Sequence, residues 1–297
     1  MTLEDYSSLD RFRNRMTALM KAAMAEAEPD CPTLVAFPEA IAMYLAFVPA
    51  HWDMLRSIDT FAEAVACLAP DGEAARRLFV DRAIETDRAY AETFSSLAKA
   101  HRAYIVAGSA YLPDVEESPH RGGRFVVDGV VRNSSYLFTP TGARLRRTPK
   151  VNIPPGEDLF TVGGSTAEVL PVDTAVGRIA TLICWDGFHH SLVERCDALG
   201  AEIVVQPQYY AGAGPITQLD PWSFVTMIQA REHIRFGVSS FLVGSVFSDM
   251  TAEGRSYVAM STGDRGSRWE DAIVAMADTV NGEEVVTAAV DLPRYRS

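Results

Sequence analysis

Three side chains that together can open a carbon–nitrogen bond stand in the order Glu39, Lys150, Cys184, each at the end of a strand-like segment. Phe37-Pro38-Glu39 supplies a carboxylate, Arg147-Thr148-Pro149-Lys150 an ammonium, and Leu182-Ile183-Cys184-Trp185-Asp186 a thiol. A thiol attacks only as thiolate, so it needs a base or a positive charge nearby. A carboxylate beside it can take the proton, give it to a departing amine and then activate water. An ammonium would stabilise the thiolate and the oxyanion on the attacked carbonyl, with the backbone N–H of Trp185 as a second donor. The chemistry would run through a thioester. Glu157 follows Lys150 by seven residues, behind Pro154-Pro155-Gly156, where it could accept a hydrogen bond from the lysine and fix its direction.

Taken singly, each of these residues has a plainer use. A cysteine in an apolar strand is more often a small core residue, and Cys31, Cys67 and Cys196 keep that reading. Glu39 alone would be a solvated loop carboxylate. Arg144, Arg146 and Arg147 make Lys150 look like one more surface cation, and Glu157 could be an ordinary turn residue. It is the company they keep that points to a site.

The elements that must position them can be read from periodicity. Leu9, Phe12, Met16, Leu19 and Ala23 fall at helical spacing, predicting an amphipathic helix that ends near Pro29. Leu34-Val35-Ala36-Phe37 is a buried strand stopped by Pro38. Surface helices are expected between about Asp53 and His101, broken at Pro70-Asp71-Gly72. Strands follow at Ile105 to Gly108, at Ser135 to Phe138 with a turn at Thr139 to Gly142, and at Gly177 to Ile183. A helix over Ser191 to Leu199 leads into Ala201 to Val205, whose run, apolar but for Glu202, predicts a strand covered on both faces. A helix capped by Asp220-Pro221 is expected to reach Arg235. Strands at Val238 to Val243, Arg255 to Met260, Ala272 to Ala277 and Val285 to Val290 complete an α/β alternation.

The chain has 297 residues without a linker-like stretch, and reads as a single domain over residues 1–297. Its 27 basic and 39 acidic residues leave a net charge of -12, which repels phosphate backbones and excludes nucleic acid as a partner. No leader-like or bilayer-length apolar run is present, so the expectation is a cytoplasmic protein without membrane attachment. The four scattered cysteines form no C-x-x-C pair, and HExxH is absent. Neither a disulfide framework nor a metal site is expected. His189 and His190 lack the spacing of helical metal ligands, and lie too close to Cys184 in sequence for a cysteine–histidine pair. They are read as pocket rim or helix surface. Tyr44, Trp185, Tyr209 and Tyr210 follow the strand ends, where they could shape a substrate pocket or serve as packing aromatics. Serine-hydrolase, phosphate-loop and dinucleotide fingerprints are missing.

These motifs, in this order, resemble the nitrilase or carbon–nitrogen hydrolase superfamily. Phe37-Pro38-Glu39 looks like its general-base motif, Lys150 with Pro155-Gly156-Glu157 like its lysine and second glutamate, and Ile183-Cys184-Trp185-Asp186 like its nucleophile elbow. The resemblance continues through Ala198 to Ile203, Trp222, Ala230-Arg231-Glu232 and Asp291-Leu292, so it covers about Leu9 to Leu292. It implies a four-layer α-β-β-α sandwich, no cofactor, and a homodimer or larger homo-oligomer packed through helices near the nucleophile. Three departures stand out. The family's opening strand is missing, since Met1 to Ser8 is polar, the residues before Lys150 lack the usual aromatic-Arg-Lys pattern, and Phe188-His189-His190 replaces the usual Arg-Phe-Pro after the nucleophile.

The expected function is hydrolysis of a small amide or carbamoyl compound, with Glu39, Lys150, Cys184 and Glu157 catalytic and Tyr44, His189, Tyr209 and Tyr210 around the substrate. The alternatives are a nitrilase, which would turn a nitrile into an acid and ammonia, and a non-catalytic binding protein. Asp186, where true nitrilases tend to carry Glu, tilts the expectation toward amides.

Overall fold

The computed structural model describes residues 1–69, 74–118, 120, 123–211, 222–264 and 266–292. In chain order the first half runs α1 (Leu9–Ala25), β1 (Leu34–Phe37), α2 (Trp52–Leu55), α3 (Phe61–Leu68), α4 (Ala74–Val80), α5 (Ala83–His101), β2 (Tyr104–Ala107), β3 (Ala110–Leu112), β4 (Val115–Ser118), β5 (Gly123–Val126), β6 (Arg132–Phe138) and β7 (Arg144–Pro149). The second half adds β8 (Val172–Thr174), β9 (Gly177–Thr181), α6 (His190–Ala198), β10 (Ile203–Gln208), α7 (Trp222–Ile228), β11 (Phe236–Phe241), β12 (Gly244–Ser245), β13 (Thr251–Ala252), β14 (Tyr257–Met260), α8 (Trp269–Ala272) and β15 (Ile273–Met276).

Side-chain alternation sorts these elements into layers. In β2, Ile105 joins the core under the helices while Val106 turns the other way; in β6, Phe138 and Leu137 divide likewise. A period of two sends neighbours to opposite faces, so a sheet covered on both sides needs apolar residues throughout. The first sheet has five strands: β1 pairs parallel with β2, while β2 and β3 lie along one edge of β6 and β7 along the other. On its outer face Phe12 and Met16 of α1 and Tyr90, Phe94 and Leu97 of α5 are buried. The second sheet runs β15-β14-β11-β10-β9-β8, with β9, β10 and β11 parallel. Its outer face is covered by Leu192 and Val193 of α6 and Phe224 and Ile228 of α7. Between the sheets Val106 and Leu137 meet Ile179, Ile203 and Val205. Three apolar interfaces thus separate four layers, the α-β-β-α sandwich that the sequence implied.

Several boundaries differ from the sequence reading. The helix expected to reach Arg235 stops at Ile228, because Ala230 takes a left-handed φ of 51° and the chain turns into β11. Val285 to Val290 is mostly apolar, as the expected strand should be, but it pairs with no strand among the described residues. Residues Leu3–Tyr6 form a 3-10 turn, and no described strand precedes α1. The outer edge of β1 is therefore unpaired among the described residues. A cavity of about 1170 Å³ opens beside it, lined by Leu34 to Phe37, Met1 and the Val285 to Val290 segment. The Pro70-Asp71-Gly72 break and the Asp220-Pro221 cap lie outside the described residues. Among the described residues no helix is long and apolar enough to cross a membrane.

Candidate active site

The ends of β1, β7, β9 and β10 meet at one rim of the sandwich. Pro38 closes β1, and the next residue, Glu39, is 2% exposed. The chain can turn there because Gly108, with φ +61°, sits against it; a Cβ at Gly108 would meet the Pro38 carbonyl oxygen at 2.0 Å. Ser109 then holds the turn, its Oγ accepting the Ala40 N–H at 2.8 Å. Lys150, 1% exposed, directly follows β7, and its backbone N–H donates to the Asn133 carbonyl at 2.8 Å. Cys184 leaves β9 through Leu182 and Ile183 and takes φ 47°, a region that L-residues other than Asn, Asp and Gly seldom enter. Gln206 of β10 braces this turn by donating to the Cys184 carbonyl at 2.8 Å. It fits only because Gly187 has no side chain, since a Cβ there would lie 2.4 Å from the Gln206 amide nitrogen.

These turns bring a closed ring of polar groups together. Lys150 Nζ donates to Glu39 Oε1 at 2.8 Å and to Glu157 Oε2 at 2.6 Å. Asn133 Nδ2 donates to Glu39 Oε1 and to Glu157 Oε1, both at 2.8 Å. The Tyr209 backbone N–H donates to Glu39 Oε2 at 2.9 Å, and the Tyr209 carbonyl lies 3.9 Å from Cys184 Sγ. Two carboxylates and one ammonium share a dry pocket, so each perturbs the others. Burial raises the Glu39 carboxyl above its ordinary range, and Lys150 only partly offsets this. Burial opposes the charge on Lys150, but Glu39, the Cys184 sulfur and Glu157 outweigh it and hold the lysine well above its usual range. Cys184 as a residue is half-buried. Its sulfur sits deep enough that desolvation, and then the Glu39 carboxylate, push the thiol well above its usual range. Cys184 therefore rests as a neutral thiol beside the Glu39 carboxyl. Tyr111 of β3, raised by burial and then by Glu157 and Glu39, stays a neutral phenol that hydrogen-bonds Glu157.

Asp186, used in the sequence only to weigh amide against nitrile, does not face this ring. It is 1% exposed and accepts the Val151 N–H at 2.9 Å and the backbone and side-chain N–H groups of Asn152, both at 2.8 Å. The carboxylate clasps the loop after Lys150 to the cysteine turn. Removing it strands two backbone donors, each costing about 1–3 kcal/mol when left unpaired. Asp186→Ala is expected to lower stability by about 2–5 kcal/mol, read as a shifted urea midpoint. An unchanged midpoint would contradict the clasp.

The other expected pocket residues are dispersed. Tyr44 is fully buried among Tyr6, Phe47, Phe61 and Phe247, and reaches the site only through its hydroxyl, 3.3 Å from that of Tyr209. It is a packing aromatic, because the chain dives inward after Ala40. Tyr209 meets Glu39 and Cys184 through its main chain. Tyr210 is half-buried beyond the end of β10. His189 packs against the Trp185 indole, centroids 5.8 Å apart, with its Nε2 buried and unpartnered. Trp185 is 38% exposed beside the thiol, whereas His190 faces outward to Glu194. Of the neighbouring arginines, Arg144 pairs with the buried Asp87 and Arg147 with Asp114 and Glu168. Asn133 had no local sequence signal; only the pairing of β6 with β3 and β7 brings it to the rim.

A two-sheet sandwich flanked by helices, with Glu, Lys and Cys gathered at one rim of the strands, defines the nitrilase architecture. Residues 7–297 match the family model described as carbon–nitrogen hydrolase, and the chain belongs to that family, within the nitrilase superfamily. Among solved structures it is similar to a carbon–nitrogen hydrolase from Helicobacter pylori G27, at TM-score 0.62 and 18% identity over 94% of this chain and 83% of that one. It is also similar to a variant of the amidase from Nesterenkonia sp. AN1, at TM-score 0.61 and 16% identity over 99% of this chain and 89% of that one. A curated relative, the nitrilase and fragile histidine triad fusion protein NitFhit of Caenorhabditis elegans, is 31% identical over 113 residues. That match covers 36% of this chain and 24% of the relative, so the chain spans about a quarter of its length.

Proposed function

We propose that the protein hydrolyses a small amide or carbamoyl compound through a thioester on Cys184. One observation carries the reading: Lys150 Nζ is held between Glu39 at 2.8 Å and Glu157 at 2.6 Å, with the Cys184 thiol against Glu39. The Glu39 carboxylate takes the thiol proton as sulfur attacks the carbonyl carbon. An ammonium has three donors, and two are already committed to carboxylates. The third, with the Trp185 N–H, holds the oxyanion. Collapse expels ammonia or an amine carrying the proton from Glu39, which then draws a proton from water to cleave the thioester. Glu157 keeps Lys150 aimed. The AN1 variant, which carries acrylamide added to its active-site cysteine, is a neighbour with the same fold and lends support to the role of Cys184.

A nitrilase remains the second reading, favoured by the NitFhit match and by the Cys-Trp-acid sequence. Paired amides and nitriles of the same acyl group, assayed for ammonia, separate the two. Turnover of the amides is expected, and turnover of the nitriles alone would transfer the assignment. Inertness toward both classes, together with a Cys184 that alkylates no faster than a buried thiol, would favour a binding protein.

The pH profile follows from Glu39. Its carboxyl is raised, and only the ionised form accepts the thiol proton, so the acid limb of Cys184 alkylation by iodoacetamide lies above the ordinary glutamate range. Below that limb the rate falls about tenfold per pH unit. Glu39→Gln is expected to alkylate slowly and without the limb. A parent limb at or below the ordinary range would contradict the assignment of Glu39 as base.

A further inference from the structure

Asn133 is the only residue among those described that touches Glu39, Glu157 and Lys150 together. Its side-chain nitrogen donates at 2.8 Å to one oxygen of each glutamate, and its carbonyl accepts the Lys150 backbone N–H at 2.8 Å. It is fully buried on β6, in register with Tyr111 on one side, next to the Ser134–Pro149 pair on the other. The amide cannot be reversed, for that would set its oxygen against two carboxylates. Its Oδ1 is buried and has no hydrogen-bond partner among the described residues. A buried acceptor left unpaired is a cost, so what the position gains from asparagine is its two N–H bonds.

We propose that Asn133 is a positioning residue whose two amide N–H bonds hold the Glu39 and Glu157 carboxylates in fixed register, leaving Glu39 Oε2 toward the Cys184 thiol. The inference rests on the reading of Glu39 as base. The lone pairs of Glu39 can be counted: Oε1 accepts from Asn133 and Lys150, Oε2 accepts from the Tyr209 N–H, and one site on Oε2 remains. A rotation of the carboxylate would spend that site elsewhere. Lys150 bridges the same two glutamates, but as a charge on a flexible stem whose third donor is needed by the oxyanion. Asn133 is the neutral, rigid counterpart, and it lets two carboxylates stand side by side with a single cation. The titratable groups facing Glu39 are Lys150 beyond β7, Glu157 in the following loop, Cys184 at the elbow, Tyr111 on β3 and Tyr209 beyond β10. None of them supplies a second neutral bridge between the two glutamates.

The test compares Asn133→Leu, of similar size without donors, and Asn133→Asp, of the same shape with a third carboxylate. In both, the acid limb of kcat/KM and of iodoacetamide alkylation is expected to rise by about one pH unit or more, further in Asn133→Asp. kcat should fall by about 10–100-fold while KM changes little, since Asn133 does not touch substrate. A merely structural role would leave the limb in place. The parent protein gives a measurement independent of whether the variants fold. With its four asparagines labelled by nitrogen-15, one side-chain amide pair should titrate with the midpoint of the alkylation limb and vanish in Asn133→Leu. A folded Asn133→Leu with the parent's limb, or a parent without such an amide pair, overturns the bridge. If instead Glu39→Gln alkylates with the parent's profile, the reading of Glu39 as base has failed and the bridge falls with it. If Glu39→Gln loses the limb while folded Asn133→Leu keeps it, the bridge alone is overturned.

Discussion

Cys184→Ala is expected to fold like the parent and to lose turnover by about 10⁴-fold or more, the scale of removing a covalent nucleophile. The fold should survive because alanine removes one sulfur atom and leaves intact the brace from Gln206 to the residue's carbonyl. The strained φ of 47° is set by that brace and by the surrounding turn, and Cβ remains. Intact-protein mass spectrometry during turnover of a slow amide should show the parent with the mass of its acyl group added, and the variant without it. Ammonia release by Cys184→Ala at the parent's rate would overturn the thioester route. Background acceleration from the oxyanion donors alone is the most that should remain.

The second large effect falls on Lys150, where chemistry and stability coincide. Lys150→Met keeps much of the volume and removes the cation that bridges the buried Glu39 and the half-buried Glu157. Breaking such a pair leaves an uncompensated charge, a loss of about 3–5 kcal/mol. The oxyanion also loses a donor, worth about 10²–10³ in kcat. Urea unfolding and kcat for the same variant should therefore both drop. Adding Glu157→Gln should recover part of the stability, since one carboxylate then needs no counter-charge, but none of the turnover. A Lys150→Met protein with the parent's urea midpoint would mean that the two glutamates do not depend on the lysine.

What could be read in the sequence, and what could not, follows from how far each signal reaches along the chain. Glu39, Lys150 and Cys184 were visible because prolines or abrupt turns end the segments before them, and that punctuation is local. The doubly covered strand was expected over Ala201 to Val205 and lies at Ile203–Gln208; its local signal was Ile203 to Val205, since consecutive apolar residues need two apolar faces. Asn133 and the clasp by Asp186 were not visible, because each acts on partners tens of residues away that only sheet register and loop closure bring near. Whether Tyr44 faces a pocket or packs could not be read from its adjacency to Glu39, which says nothing about which way the chain turns after Ala40, where φ is 57°. Val285 to Val290 shows the converse. An apolar run marks a segment able to be a strand, but a strand also needs a partner edge, and local sequence carries no information about whether one is free.

The unpaired edge of β1 has a consequence for the protein in the test tube. Outward-facing amides and carbonyls along Leu34–Phe37, beside a cavity with apolar walls, form a docking rail for any extended chain that reaches it. Pairing at that edge would work against the mutual repulsion that the overall charge of -12 gives the chains.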